Sequence, residues 1–312
     1  MTIAEGCVVG IDLGGTKIRG GIATSSGEII AELTVPTSGS GLIHQIVALV
    51  QELCAAAAID ADHIVATGIG GAGVPDPTGE GFDKAPNLIG VQDVSFAGEL
   101  ALALGHSVVI ENDVNVAALG ELHYGAGLSH KDFVFISAGT GIGMGIVSAG
   151  TLLRGAHGAA GEIGFLPIGS DPLDPANRRR GPLEEMVAGD ALTRRYAVVT
   201  NEVISSQEVF LRAEAGDPAA IATVNEHAKW IAIAIVTVAA VLDPEIFVLG
   251  GGIGSRKELL RLIFDWLARL GNSVLDVRIS ELGNSAPVAG AVRLALDSTK
   301  SFAKGNPHEH RR

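Results

Sequence analysis

The stretch Val8-Val9-Gly10-Ile11-Asp12-Leu13-Gly14-Gly15-Thr16-Lys17 decides how this chain reads. An apolar run ends at an acid, two glycines with a threonine and a lysine follow, and Ile18 to Ala23 resumes an extended pattern. This predicts a hairpin whose tight turn offers backbone N–H groups and a hydroxyl to a polyphosphate, without Cβ interference. Gly14, Gly15, Thr16 and Lys17 are therefore candidate phosphate contacts. Asp12, at the strand end, is placed to interact with a metal ion or its water shell beside those phosphates. A Gly-Gly turn by itself most often only reverses the chain, so the remaining sequence must decide.

Outward from this turn the first third reads as strands and then a helix. Val8–Asp12, Ile18–Ala23 and Glu28–Thr34 are separated by turn residues, and apolar positions at helical spacing follow from about Leu42 to Ala58. A strand at Ile64–Ile69, a helix near Val94–Leu104, a strand at Ser107–Glu111 and a helix from Val114 complete this part. The pattern then restarts: Asp132–Ser137 is a strand, Gly139–Gly145 a glycine-rich turn, and Ile146–Ala149 a second strand. Helices follow, the longest opening at Asp217-Pro218, an N-cap and first-turn pairing. The repetition predicts two similar α/β lobes, each with a mixed sheet.

Whole-chain properties bound the function. A length of 312 residues suggests about two domains of roughly 150 residues. With 47% hydrophobic residues a large core is available. The formal charge of −13 argues against a nucleic-acid or anionic-membrane surface. Arg178-Arg179-Arg180 reads as a solvated loop or a phosphate or subunit contact rather than a DNA-reading element. Only two cysteines occur, Cys7 and Cys54, which suits a reducing compartment, and a cytoplasmic location is expected. The uncharged run Trp230–Leu242 is too short to span a bilayer and is expected as a buried helix.

Four further constellations bear on chemistry. Ser137-Ala138-Gly139-Thr140-Gly141-Ile142-Gly143 repeats the strand–turn–strand logic of the first turn, and two such turns, one per lobe, suit a nucleotide triphosphate. Between them, Glu111-Asn112-Asp113 falls where a strand ends and a helix starts, the edge at which open α/β sheets bind ligands. Asp113 is either an N-cap or a general base for phosphoryl transfer. Glu162, with Gly161 before it and Gly164 close after, is either a solvated loop residue or a carboxylate exposed for bidentate bonding to vicinal sugar hydroxyls. Gly250-Gly251-Gly252 ends a strand and opens a helix, where a flat adenosine can pack on bare backbone. Gly68-Ile69-Gly70-Gly71-Ala72-Gly73 fits a dinucleotide fingerprint, but Pro75 and Pro77 deny it the required helix.

In this order, these motifs resemble the ROK family of sugar kinases and repressors, within the actin–hexokinase–Hsp70 fold. The likeness runs from Val8 to about Leu296 and includes Gly73-Val74-Pro75, Asn87, Gly161-Glu162-Ile163-Gly164 and Leu242-Asp243-Pro244-Glu245. It implies two RNase H-like lobes with an interlobe cleft, residues 1–115 plus 288–312 forming one and 116–287 the other. It implies that Asp113 is the catalytic base, that Asn87, Asn112 and Glu162 hydrogen-bond the sugar, and that Gly14, Gly15, Thr16, Gly139, Thr140 and Gly141 line the phosphates. Gly251 and Gly252 would meet the adenosine, and Mg²⁺ would bridge the nucleotide phosphates.

The chain departs from the family pattern after Glu162. Phe165 stands where the family has a histidine, and Asp171–Glu184 contains no cysteine and no histidine in place of a zinc-holding cysteine loop. No structural zinc is expected. Gly181-Pro182-Leu183-Glu184 aligns with the end of that loop, so Glu184 is a further sugar-contacting candidate. Loss of the histidine removes one sugar hydrogen bond, which should change substrate preference.

The expected function is ATP-dependent transfer of the γ-phosphoryl group to a hydroxyl, the 6-OH of a hexose or N-acetylhexosamine. The alternative is a non-catalytic sugar-binding regulatory protein. A repressor is disfavoured because the first turn begins too early to leave room for a DNA-binding domain. Polyphosphate is a narrower alternative donor, and a homodimer without nucleic-acid or membrane partners is expected.

Overall fold

The computed structural model describes residues 6–38, 41–76, 78–83 and 95–303. In chain order its elements are β1 (Cys7–Leu13), β2 (Lys17–Ala23), β3 (Ile29–Pro36), α1 (Leu42–Ala57), β4 (Ile64–Gly71), β5 (Val74–Pro75), β6 (Phe82–Asp83), α2 (Phe96–Leu104), β7 (Ser107–Asn112) and α3 (Asp113–Tyr124). The second half contains β8 (Phe133–Ala138), β9 (Ile142–Ser148), β10 (Thr151–Leu152), α4 (Glu184–Val187), α5 (Gly189–Thr200), α6 (Ser206–Glu214), α7 (Pro218–Leu242), β11 (Ile246–Gly250), α8 (Gly251–Gly254), α9 (Lys257–Arg269), β12 (Val277–Ile279) and α10 (Ala286–Ala303).

The chain divides into two units, one built on Met1–Leu128, Leu152–Ala160 and Ser285–Arg312, the other on Ser129–Thr151 and Gly161–Asn284. These bounds differ from the division expected at residues 115/116 and 287/288. All of α3 stays with the first unit because it packs on α10, and 152–160 returns to that unit, where Arg154 pairs with Glu111.

Each unit holds a five-stranded mixed sheet, in the orders β3-β2-β1-β4-β7 and β10-β9-β8-β11-β12. In both, an antiparallel hairpin is extended on one side by two parallel strands: β1 pairs antiparallel with β2 and parallel with β4, and β8 pairs antiparallel with β9 and parallel with β11. The parallel strands bring their carboxyl ends to one edge of each sheet, and each unit's glycine turn lies on that edge.

The first core gathers Val9, Ile11, Ile18 and Ile22 of the hairpin against Ile46, Leu49 and Leu53 of α1. On the other face α10 lies close to the backbone of β1 and β4. A Cβ at Gly68 would sit 2.2 Å from the Ala291 carbonyl oxygen, and one at Gly290 would sit 1.6 Å from that of Val116. Gly68 and Gly70 of the apparent dinucleotide fingerprint thus clear room for α10 and α3. After Gly73 the chain enters β5 rather than a helix, as the prolines require.

In the second unit α7 begins as the sequence predicts. Asp217 Oδ1 accepts from the N–H groups of Ala219 (2.8 Å) and Ala220 (3.3 Å), with Pro218 at the first helical position. By length and apolar content α7 could cross a membrane, but one face, including Ala228, Ile231 and Ile235, is buried, and the helix packs on α5, α6 and α9.

Candidate active site

In the first unit Asp12 and Arg19 face each other across the β1–β2 ladder, and Arg19 donates to Asp12 Oδ2 from Nε (3.0 Å) and Nη2 (2.5 Å). The turn between them is closed by the Gly14 N–H donating to the Lys17 carbonyl at 3.1 Å, so that amide serves the turn itself. Gly15, Thr16 and Lys17 are exposed at its tip. Thr37, just after β3, clamps the turn from outside: its hydroxyl donates to the Gly14 carbonyl (2.6 Å) and its N–H to the Thr16 carbonyl (3.1 Å). Neither Arg19 nor Thr37 stood out in the sequence.

Asp12, Gly70 and Glu111 occupy one row across β1, β4 and β7, which puts Asp12 and Glu111 about 10 Å apart, two strand spacings. Beyond Glu111 the strand becomes α3, and the cap is Asn112 rather than Asp113. Asn112 Oδ1 accepts from the N–H groups of Val114 (2.9 Å) and Asn115 (3.2 Å), and Nδ2 donates to the Gly73 carbonyl (3.0 Å). This fixes the Asn112 side chain and leaves one Nδ2 hydrogen for a ligand. Asp113 is then the first residue of the helix, where the macrodipole favours negative charge, and its Oδ1 accepts the Val114 N–H at 2.9 Å.

Glu111 supports this corner from below. It is 3% exposed, its Oε1 accepts from the Asn112 N–H and from Asn115 Nδ2, both at 2.9 Å, and Arg154 Nε lies 2.5 Å from Oε2. Arg154 comes from the 152–160 segment and no local pattern announces it. Asn87 lies outside the described residues.

In the second unit the Gly139 N–H donates to the Gly141 carbonyl at 2.9 Å, closing the second turn. Beside it, β11 pairs with β8 up to Gly250 opposite Ser137, and the chain turns into the short α8. Gly251 has φ +80°, and a Cβ there would lie 2.5 Å from the Ala138 carbonyl oxygen. A Cβ on Gly139 would lie only 3.6 Å from the Gly252 nitrogen, so the phosphate and adenosine candidates of this unit are neighbours.

Glu184 comes to the same turn: its Oε2 accepts the Ile142 N–H at 3.1 Å. The carboxylate expected to bind sugar is thus also tied to the second glycine turn. Glu162 is exposed just before the short helical turn Ile163–Phe165. Phe165 is 48% exposed. The segment leading to Glu184 is held by its own polar groups: Asp174 Oδ1 accepts the Ala176 N–H (2.9 Å), Asn177 Nδ2 donates to the Asp171 carbonyl (2.9 Å), and Ser170 Oγ donates to the Pro182 carbonyl (2.9 Å).

A model of the ROK family matches residues 8–298. This chain belongs to the ROK family. It is 32% identical to a glucokinase of Halalkalibacterium halodurans over 96% of its own length and 98% of the relative's. Among solved structures, a ROK hexokinase from Thermus thermophilus superposes with a TM-score of 0.82 at 31% identity, covering 95% of this chain and 99% of that one. A ROK glucokinase from Streptomyces griseus, solved with glucose and AMPPNP, gives a TM-score of 0.78 at 30% identity over 94% and 100% of the two chains. With the twin mixed sheets, these place this ROK protein in the actin–hexokinase–Hsp70 fold, as the motifs implied.

Proposed function

We propose that this ROK protein is an ATP-dependent hexose kinase in which Asp113 takes the proton from the sugar hydroxyl that attacks the γ-phosphorus. The observation that carries this reading is the placement of Asp113 at the first turn of α3, on the carboxyl edge of the sheet that also presents the Asp12–Lys17 turn. Near full-length likeness to glucokinases supports it, and weighs against the non-catalytic alternative.

The roles follow from chemistry. The oxygen–phosphorus bond to the sugar forms as the bond to the β-phosphate breaks, the hydroxyl proton passes to the Asp113 carboxylate, and ADP leaves. Asn112, through its remaining Nδ2 hydrogen, and Glu162 and Glu184 are assigned to the sugar; Asn87 joins them from the motif alone. Gly14, Gly15, Thr16, Lys17, Gly139, Thr140 and Gly141 are assigned to phosphates, and Gly251 and Gly252 to the adenosine.

Magnesium would arrive with the nucleotide and neutralise developing charge on its phosphates. Asp12 fits such an ion through the ion's water shell, with its Oδ2 engaged by Arg19. Use of a hexose 6-OH, a homodimeric state and a cytoplasmic location, the last in keeping with two free thiols, belong to the same reading.

The test is sugar-dependent ADP release across glucose, mannose, allose, fructose, N-acetylglucosamine and N-acetylmannosamine with Mg²⁺, with and without a zinc chelator. Turnover on one sugar, lost by at least about 10²-fold in Asp113→Asn and indifferent to the chelator, is the expected result. Ligand-induced stabilisation without ADP from any sugar would replace catalysis with the regulatory reading.

A further inference from the structure

The basic run Arg178-Arg179-Arg180 ends in a side chain for which the proposed function has no use, yet it meets three carboxylates of the second unit. Arg180 Nη1 and Nη2 hold Asp190 Oδ2 and Oδ1 as a bidentate pair, at 2.7 and 2.8 Å. Its Nε donates to Glu184 Oε1 at 3.3 Å and lies 3.7 Å from Glu185 Oε1. Arg194 closes the ring by pairing with Asp190 and, at 2.8 Å, with Glu185 Oε2. Gly181 lets the chain present Arg180 here: at φ +99° it packs so closely that a Cβ would lie 2.2 Å from the Gly164 carbonyl oxygen.

Both arms of this network end on the second glycine turn. Through Glu184, Arg180 reaches the Ile142 N–H, at the exit of Gly139–Gly141. Through Asp190 it reaches the start of α5, where the adjacent Gly189 N–H donates to the Gly139 carbonyl at 2.8 Å, at the entry of the same turn. Isolated surface ion pairs contribute little, but a bidentate guanidinium shared among three carboxylates fixes geometry as well as charge.

We propose that Arg180 is a positioning residue for donor binding, its guanidinium locking Glu184 and Asp190 so that the Gly139–Gly141 turn is held at both ends. Arg180 is then a brace within its own unit, in a segment that has no cysteine or histidine. The kinetic consequence rests on the kinase reading; the structural one does not.

The experiment compares the full chain with Arg180→Met, Arg180→Lys and Asp190→Asn by hydrogen exchange at the Ile142 amide, steady-state kinetics in ATP and thermal melting. Arg180→Met is expected to speed Ile142 exchange and to raise the KM for ATP, each by about five- to tenfold, the size of one ordinary net hydrogen bond, with kcat within about threefold. Arg180→Lys should recover only part, since it keeps the charge and loses the fork. Wild-type exchange and KM in both Arg180→Met and Asp190→Asn would overturn the proposal. Should Arg180→Met fail to fold, Asp190→Asn alone decides. Absence of sugar-dependent ADP release in the wild type would sink the kinase reading, while Ile142 exchange would still decide this one.

Discussion

Arg154 Nε lies 2.5 Å from Oε2 of Glu111, a carboxylate that is 3% exposed and immediately precedes Asn112 and Asp113. The pair joins a late segment of the first unit to the residue beneath the proposed base. Removing one partner of such a pair strands the other charge in a poorly solvated place. Arg154→Met should therefore cost about 2 kcal/mol, toward the low side because Arg154 is itself partly exposed, as read by denaturant unfolding. Glu111→Gln combined with Arg154→Met should regain part of that loss; an Arg154→Met protein as stable as its parent would show that Glu111 is compensated elsewhere.

Asn112 caps α3, and its proposed second role, offering one N–H to the sugar, can be separated from the cap. Asn112→Ala should lose about 1 kcal/mol of stability with the cap. Asn112→Asp keeps the capping oxygen but loses the Nδ2 bond to the Gly73 carbonyl and turns a carboxylate oxygen toward it, so it should keep only part of that stability while raising the KM for the sugar. Equal unfolding midpoints for the Ala and Asp variants would mean that the cap adds nothing.

Thr37 holds the first glycine turn, the one proposed to meet phosphate, through a 2.6 Å bond from its hydroxyl to the Gly14 carbonyl. Thr37→Val keeps the shape and deletes the donor. The KM for ATP should rise about fivefold, the equivalent of one hydrogen bond of about 1 kcal/mol, with the sugar KM unchanged. A matching rise in the sugar KM would point instead to a general loosening of the unit.

His227, on α7, is fully buried, and neither ring nitrogen meets a hydrogen-bond partner among the described residues. Burial, reinforced by the nearby Arg195 guanidinium, pushes its pKa down to about 3. An unfolded histidine titrates near about 6.5, so the folded state binds the proton less well than the unfolded state. This contribution leaves stability intact above that value and erodes it progressively as pH falls from there toward 3. Replacing His227 by Leu should flatten this acid limb, so that the melting-temperature difference between variant and parent shifts in the variant's favour from pH 7 to pH 4. A difference that stays constant over that range would remove His227 from the acid response.

The parts of the site legible in sequence are those built from neighbours along the chain. Asp12 through Lys17 and Ser137 through Gly143 announce themselves because a strand, a glycine turn and a second strand need only local chemistry. The start of α3 is also visible there, though the choice between Asn112 and Asp113 as its cap is not. Both side chains can cap, and the Asn112 amide wins here because its Nδ2 also reaches the Gly73 carbonyl, on the loop beyond the neighbouring strand. Arg19, Thr37 and Arg154 leave no signal, since an arginine or threonine in a polar stretch is ordinary until its partner is known, and the run at Arg178-Arg179-Arg180 is visible without its partners. The prolines after the fingerprint-like glycines from Gly68 onward deny those glycines a nucleotide role, but their work against α3 and α10 emerges only from packing.

By itself, then, the sequence determined two glycine-turn hairpins, the strand-to-helix corner at Asp113, the opening of α7 at Asp217 and the family to which the chain belongs. Each depends on turn chemistry, periodicity or ordered motifs carried by contiguous residues. The tertiary structure decided which sheet the last helix covers, that 152–160 returns to the first unit, and that Glu184 lies against the turn at Gly141. Those outcomes join groups tens of residues apart, such as Arg154 with Glu111 or Glu184 with Ile142. Such pairings are specified only when the folded chain has buried the surfaces that bring the partners together, because no short-range preference encodes where a distant partner will stand.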